Sequence, residues 1–297
     1  MLQLAIDEAH RFPLAAKRLK ENCYVDNVMT GAGTKEEAMK LQGEMVALLK
    51  AGGFNLRQWA TNDKESLENI PAELREDGIC EISNDQTVNT LGIQWYPADD
   101  ILKFKPLKFS ESEKITKRQL LSNIASIYDP SQWLAPFTIR AKILMQRVWQ
   151  TGIDWDEVPS DDILTEWRQI KDELSVLPSI CIPRWTGYSI EDTVELHGFC
   201  DASEVAYVAV VYLKTRHTNG KRTTNLLWAK TRVTPLNSNT TQPKRELNGA
   251  EELAKLMELT ITTLSLEGVP VYCWCDSQIV LAWLQKELQE FLEMELH

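Results

Sequence analysis

Val194-Glu195-Leu196-His197-Gly198-Phe199-Cys200-Asp201-Ala202-Ser203 decides how this chain is read. Residues 194–200 carry the apolar density of a strand, and Asp201-Ala202-Ser203 ends it. Two further strand-like runs follow, over 205–213 and 225–230. Residues 243–264 then carry a helical period, 269–275 a fourth strand and 277–289 a second helix. Upstream of Pro183-Arg184 the periodicity is mostly helical, so the switch of period predicts a domain boundary near residue 190.

Three carboxylates fall at the ends of these elements. Asp201 closes the first strand. Glu246 lies in the first turn of the helix, in Pro243-Lys244-Arg245-Glu246-Leu247. Asp276 closes the fourth strand, in Cys273-Trp274-Cys275-Asp276-Ser277. Singly, each has an ordinary explanation: Asp276-Ser277 caps a helix, Asp201 belongs to a turn, and Glu246 complements a helix N-terminus. Together, two adjacent strands and a helix packed over them predict a shared cluster. Such a cluster stays ionised only beside cations, because like charges raise each other's pKa. Divalent metal ions would neutralise it and support phosphodiester hydrolysis.

Working toward the N-terminus, residues 160–177 predict an amphipathic helix with Ile163, Trp167, Ile170 and Leu174 on one face. Residues 116–150 predict helix broken at Tyr128-Asp129-Pro130 and at Pro136. A hairpin is predicted over 88–96 and 101–104, around Pro97-Ala98-Asp99-Asp100, and a strand over 54–59. Residues 61–86 are expected to be loop with a short helix. Thr34 and Glu37 predict a capping box, and Gly52-Gly53 the end of that helix. Residues 22–29 predict a short hairpin with its tip at Asp26-Asn27, and residues 1–20 a helix.

The 297 residues suffice for roughly two domains, and 43% hydrophobic with 25% charged residues is a globular balance. A net charge of −11 argues against binding nucleic acid by bulk electrostatics, though not against a local basic groove. Lys103, Lys105, Lys108, Lys114, Lys117 and Arg118 form one basic stretch. Lys214, Arg216, Lys221, Arg222, Lys230 and Arg232 form another. A solvated face is the ordinary reading of each. Lys103, Lys105, Lys117 and Arg118, with Lys244 and Arg245 beside Glu246, are the candidate nucleic-acid contacts. The six cysteines include no C-x-x-C pair and fit a reducing compartment. Cys273 and Cys275 share one strand face, and their apolar neighbours predict buried free thiols. No apolar run suits a membrane span or a secretion signal, so a cytoplasmic or nuclear, non-secreted protein is expected.

The wording Phe-Cys-Asp-Ala-Ser at 199–203, Lys-Arg-Glu-Leu at 244–247 and Trp-Cys-Asp-Ser at 274–277 resembles the ribonuclease H of BEL/Pao-type retrotransposon polyproteins. That resemblance implies that Asp201, Glu246 and Asp276 bind two Mg²⁺ or Mn²⁺ ions and that RNA is cut in RNA–DNA hybrids. Lys117 to Ser122 and Ile127-Tyr128-Asp129-Pro130 are similar to the region customarily named a Pao retrotransposon peptidase. Tyr24-Val25-Asp26-Asn27 resembles the Tyr-x-Asp-Asp hairpin of reverse transcriptases, and Leu91-Gly92-Ile93-Gln94-Trp95 the strand that follows and positions the primer. The implied architecture is α+β. It comprises a partial palm over 1–110, a mainly helical thumb and connection over 111–190, and a C-terminally truncated ribonuclease H-like domain, a mixed sheet with helices, over 191–297. Partners would be RNA–DNA hybrid or template–primer, and other segments of the polyprotein.

Asn27 stands where the family has a second Asp, so Tyr24, Asp26 and Asn27 are expected to be a polymerase relic. The family's further strand and terminal helix, with a fourth metal-binding Asp, have no counterpart before His297. Exposed apolar sheet edge and weak or absent hydrolysis are therefore expected. A catalytically inert nucleic-acid-binding relic is the alternative. An aspartic peptidase is disfavoured, because Asp192-Thr193-Val194 and Asp276-Ser277-Gln278 lack the glycine of Asp-Thr/Ser-Gly loops.

Overall fold

Pro13 divides the helix expected over residues 1–20 in the computed structural model of the chain. Helix α1 (Leu2–Asp7) stops, and α2 (Pro13–Asn22) restarts with the proline in its first turn, where no N–H is needed. The structure describes residues 1–24, 27–75, 80–82, 93–107, 109, 114–189, 191–236 and 240–295. The chain forms two units, Met1–Cys80 with Trp95–Ile101, and Glu81–Gln94 with Leu102–His297.

In the first unit, β1 (Cys23–Tyr24) pairs antiparallel with β2 (Asn27–Val28), as the hairpin reading requires; Asn27, expected at the tip, pairs with Tyr24 and belongs to the strand, and residues 25 and 26 lie outside the described residues. Helix α3 (Lys35–Ala51) starts where Thr34 accepts from the Glu37 N–H at 3.2 Å. Glu37 reaches back to the Gly33 N–H, one residue before the expected partner. The core packs Ala5, Ala15, Ala16 and Leu19 against Leu41, Met45, Leu48 and Leu49. The expected strand over 54–59 is absent: Phe54 is exposed, Gln58 has φ 56°, and only Trp59 bridges to Arg75. Helix α4 (Lys64–Glu68) is capped by Asp63.

Strands β3 (Cys80–Ile82), β4 (Ile93–Tyr96) and β5 (Ile101–Phe104) follow. The expected hairpin is present as β4 and β5, with Asp100 at φ 52° in the turn and its carboxylate accepting from Trp95 Nε1 at 3.0 Å. The expected extension back to residue 88 and the Leu91-Gly92 pair lie outside the described residues.

The second unit holds α5 (Lys117–Ala125), α6 (Ala135–Gln150), α7 (Asp161–Glu173) and β6 (Cys181–Pro183). Pro136 does not break α6; it occupies the first turn. Trp167, Ile163, Ile170 and Leu174 are buried, as the stripe predicts. Strands β7 (Thr193–Ala202), β8 (Ala206–Arg216) and β9 (Arg222–Val233) then form an antiparallel meander. Helix α8 (Gln242–Leu264) crosses back, β10 (Val271–Trp274) pairs parallel with β7, and α9 (Gln278–Glu295) follows. The strand order is β10-β7-β8-β9. This is the mixed sheet expected from three strands, helix, strand, helix.

Alternation explains the packing. Leu196, Cys200, Ala209, Val211 and Leu213 face α8 and pack on Leu253, Leu256 and Met257. Gly198 shares that face because a Cβ there would lie 2.5 Å from Leu253 Cδ1 and 2.8 Å from Met257 Cε. On the other side, the segment leading into α6 closes the β9 edge. Ala229 N–H donates to the Ser131 carbonyl at 3.0 Å, Thr231 N–H to Gln132 Oε1 at 2.8 Å, and Trp133 Nε1–H to the Leu227 carbonyl at 2.8 Å. The period switch near 190 thus falls inside one compact unit. At the opposite edge Val271, Tyr272 and Trp274 are exposed, in line with the expected apolar edge.

Candidate metal centre

The parallel register pairs Trp274 with Phe199. Carried two residues further, it sets Cys275 beside Cys200 and Asp276 beside Asp201, at the end of the sheet over which the first turn of α8 lies. Gly249, one turn after Glu246, brings α8 close to that end: a Cβ there would lie 3.4 Å from the Asp201 carbonyl.

Ligand atoms of Glu246, Cys275 and Asp276 lie within 4.8 Å of one another. Two members of the expected triad are therefore together. The third member of the group is Cys275, and Asp201 is not in it. The reason is strand alternation. Asp201 is still paired, with Val208, and so belongs to the face of His197 and Phe199, opposite α8. Its Oδ1 accepts from the Ala202 N–H at 2.8 Å. Asp276 lies past the last paired residue and is free of that constraint. Cys275 alternates onto the helix side with Cys200.

Glu246 is 8% exposed. Its Oε1 accepts from Gln242 Nε2 at 2.8 Å, and the same amide donates to the Ala202 carbonyl at 2.7 Å. Arg245 Nη1 donates to Gln242 Oε1 at 3.0 Å and fixes the amide's orientation. Glu246 Oε2 is buried with no hydrogen-bond partner, a state that costs about 1–3 kcal/mol unless a cation or water meets it. Gln242 was not among the sequence candidates, although its place one helical turn before Glu246 puts the two side by side. Burial, with the Cys275 thiol and Glu246 nearby, pushes Cys200 up to about 12, and its Sγ donates to the Trp274 carbonyl at 3.6 Å. Contrary to expectation, Cys273 is exposed and Cys275 half-buried. The reason is that β10 is an edge strand.

Most of the expected nucleic-acid contacts are engaged within the chain itself. Lys117 is 5% exposed, with Nζ donating to the Ile153 carbonyl at 2.8 Å and lying 4.1 Å from the Trp149 ring centre. Arg118 is paired with Asp156 and lies over Trp155. Both serve the packing of α5, because the tryptophans that follow in 149–155 supply π faces. Lys103 and Lys105 are half-buried, and each has a partner within the chain. Arg245 is committed to Gln242, while Lys244 is exposed beside the centre. On the open face near Asp201, His197 stacks on Tyr272 (centroids 4.9 Å) and Phe199 on Trp274 (6.3 Å).

Of the polymerase-like residues, Asn27 is exposed in β2 and borders a cleft of about 230 Å³ with Thr30, Gln42, Met45, Trp59 and Ile70; no carboxylate lines it among the described residues. Asp26 lies outside the described residues. Asp192, weighed as a peptidase carboxylate, accepts from the Ser189 and Thr218 N–H groups and from His217. The Ser189 N–H foremost holds it below the usual carboxylate range, as a loop staple.

The family model for the Pao retrotransposon-like RNaseH-like domain matches residues 116–277, just over half of the chain. The match spans α5–α7 and the sheet through Asp276. No curated protein matches the chain. Among solved structures, the foamy viral protease-reverse transcriptase dRH in complex with ds DNA aligns over 95% of this chain and 43% of its own, at 15% identity and TM-score 0.49. The foamy viral protease-reverse transcriptase in complex with dsDNA aligns over 95% and 51%, at 13% identity and TM-score 0.42. This chain thus spans about half the length of either.

Proposed function

The chain belongs to the Pao retrotransposon-like RNaseH-like family, and from that premise we propose that it is a segment of a retrotransposon pol polyprotein whose ribonuclease H-like domain hydrolyses the RNA strand of RNA–DNA hybrids with a divalent metal ion. The observation that carries this reading is the buried, half-satisfied Glu246 carboxylate within reach of Asp276. The donor set fits one divalent ion held by Glu246 and Asp276. Asp201, beside Asp276 in register but on the opposite face of the sheet, would join them only by turning its carboxylate away from the Ala202 N–H. When bound, Mg²⁺ or Mn²⁺ supplies an acidified water and neutralises charge on the leaving oxygen.

The chain's own residues do the positioning. Gln242 holds one Glu246 oxygen and leaves the other pointing free. Exposed Lys244, in the first turn of α8, is placed to meet a phosphate as a point charge. The division into a palm remnant over 1–110, a connection over 111–190 and a nuclease over 191–297 belongs to the same proposal. So does a polymerase rendered inactive by Asn27. Among the described residues no helix is long and apolar enough to cross a membrane. We place the protein's work on nucleic acid in the cytoplasm or nucleus.

A labelled RNA–DNA hybrid incubated with the full chain and Mg²⁺ or Mn²⁺ tests the reading. Cleavage that is lost in Glu246→Gln and Asp276→Asn supports it. A second reading, an inert relic that binds hybrid without cutting, is favoured by the Asp201 carboxylate lying against its own backbone. Hybrid retention without cleavage, from folded protein, would establish that reading instead.

A further inference from the structure

The third donor at the centre is a sulfur. Cys275, beside Cys200 in register, has its Sγ in the 4.8 Å group with Glu246 and Asp276. Hard ions such as Mg²⁺ take oxygen ligands, whereas thiolate favours softer ions, and Zn²⁺ accepts sulfur and carboxylate oxygen together. Three protein donors with an open fourth position is an arrangement that Zn²⁺ adopts with a bound water.

A second observation points to a ligand there. Glu246 is more than nine-tenths buried, its Oε1 is taken by Gln242, and its Oε2 has no partner. The neighbouring thiols lie outside the group: Cys200 donates to the Trp274 carbonyl and lies against the Cys275 thiol, and Cys273 lies two residues back along the edge strand, exposed.

We propose that Glu246, Cys275 and Asp276 form a site for a thiophilic divalent ion, Zn²⁺ in the cell, that excludes Mg²⁺ while it is occupied. The inference rests on the metal centre of the proposed function and changes its chemistry: zinc would act as a brake on a Mg²⁺-dependent nuclease. Binding forms a metal–sulfur bond, displaces a metal-bound water and releases the Cys275 thiol proton to solvent; nothing is oxidised or reduced.

The test is titration of the full chain, kept reduced by a phosphine, with Cd²⁺ as the spectroscopic probe. A thiolate-to-cadmium absorption band should saturate at one ion per chain. Zn²⁺ should compete it away, and a large excess of Mg²⁺ should not. Cys275→Ser should abolish the band, Cys273→Ser should keep it, and Glu246→Gln should weaken binding about 10–100-fold, with circular dichroism showing each variant folded. No band from folded protein, or a band that survives Cys275→Ser and disappears with Cys200→Ser or Cys273→Ser, overturns the proposal. The two readings fail separately: hybrid cleavage in Mg²⁺ without a cadmium band removes only the zinc site, and a Cys275-dependent band without cleavage removes only the nuclease.

Discussion

Lys117 shows how a side chain's environment reverses its reading. In sequence it belongs to a basic stretch. In the structure its ammonium is enclosed by Trp149, Trp155 and the Ile153 carbonyl. Lys117→Met removes the donor to a carbonyl and the cation–π contact, and should cost about 1–3 kcal/mol. A lower urea midpoint would register this, while hybrid affinity stays unchanged. Lys244→Ala should do the opposite, weakening hybrid binding and its salt dependence without moving the midpoint. At the centre, Gln242→Ala frees the Glu246 carboxylate to rotate and should lower divalent-ion affinity about 10–100-fold, measured by calorimetric titration, with the fold intact. The proximity of Glu246 and Asp276 was legible because motif and element end coincide. Cys275 was legible only as a strand residue, since nothing in sequence marks where β10 stops pairing.

Periodicity marks the elements wherever one face is buried. Strands β7–β9 and helices α7 and α8 follow their periods, because alternation and the helical stripe record burial directly. The failures are local. Pro136, expected to break a helix, sits in the first turn of one, and the helix expected through Pro13 stops and restarts there, because a proline is tolerated only at an α-helix's first turn. Residues 54–59 have strand composition but lack a continuous partner strand. The packing of β7 on α8 depends on Gly198. Gly198→Val would press on Leu253 and Met257 and should cost about 1–3 kcal/mol, read as a fall in Tm. The Arg232–Glu252 pair ties β9 to α8, and its hydrogen bonds hold the Glu252 carboxyl below its usual range. A depressed carboxylate pKa contributes stability that is present above the ordinary glutamate value and lost as pH falls through the folded one. Glu252→Gln should therefore be about 1–2 kcal/mol less stable at pH 7, with the gap closing below about pH 4. A gap constant with pH would show that the pair is not its source.

At the scale of the molecule, helices α5–α7 and the sheet β7–β10 belong to one unit, and the family match spans both. Trp133→Ala should loosen that joint by about 2–4 kcal/mol and lower the unfolding midpoint of sheet and helices together. Trp133→Phe, which loses only the bond to Leu227, should cost about 1 kcal/mol. Two separate transitions in Trp133→Ala would mean that sheet and helices fold independently. The order of elements, the α+β class, the strand–helix–strand placement of Asp201, Glu246 and Asp276, and the hairpin at β1–β2 were determined by the sequence alone, because periodicity and turn chemistry are local. Which carboxylates meet, which lysines are buried and whether residue 190 divides the second unit were decided only by tertiary structure. These depend on the face a paired strand imposes on Asp201, on tryptophans more than thirty residues from Lys117, and on the segment leading into α6 closing the edge of β9.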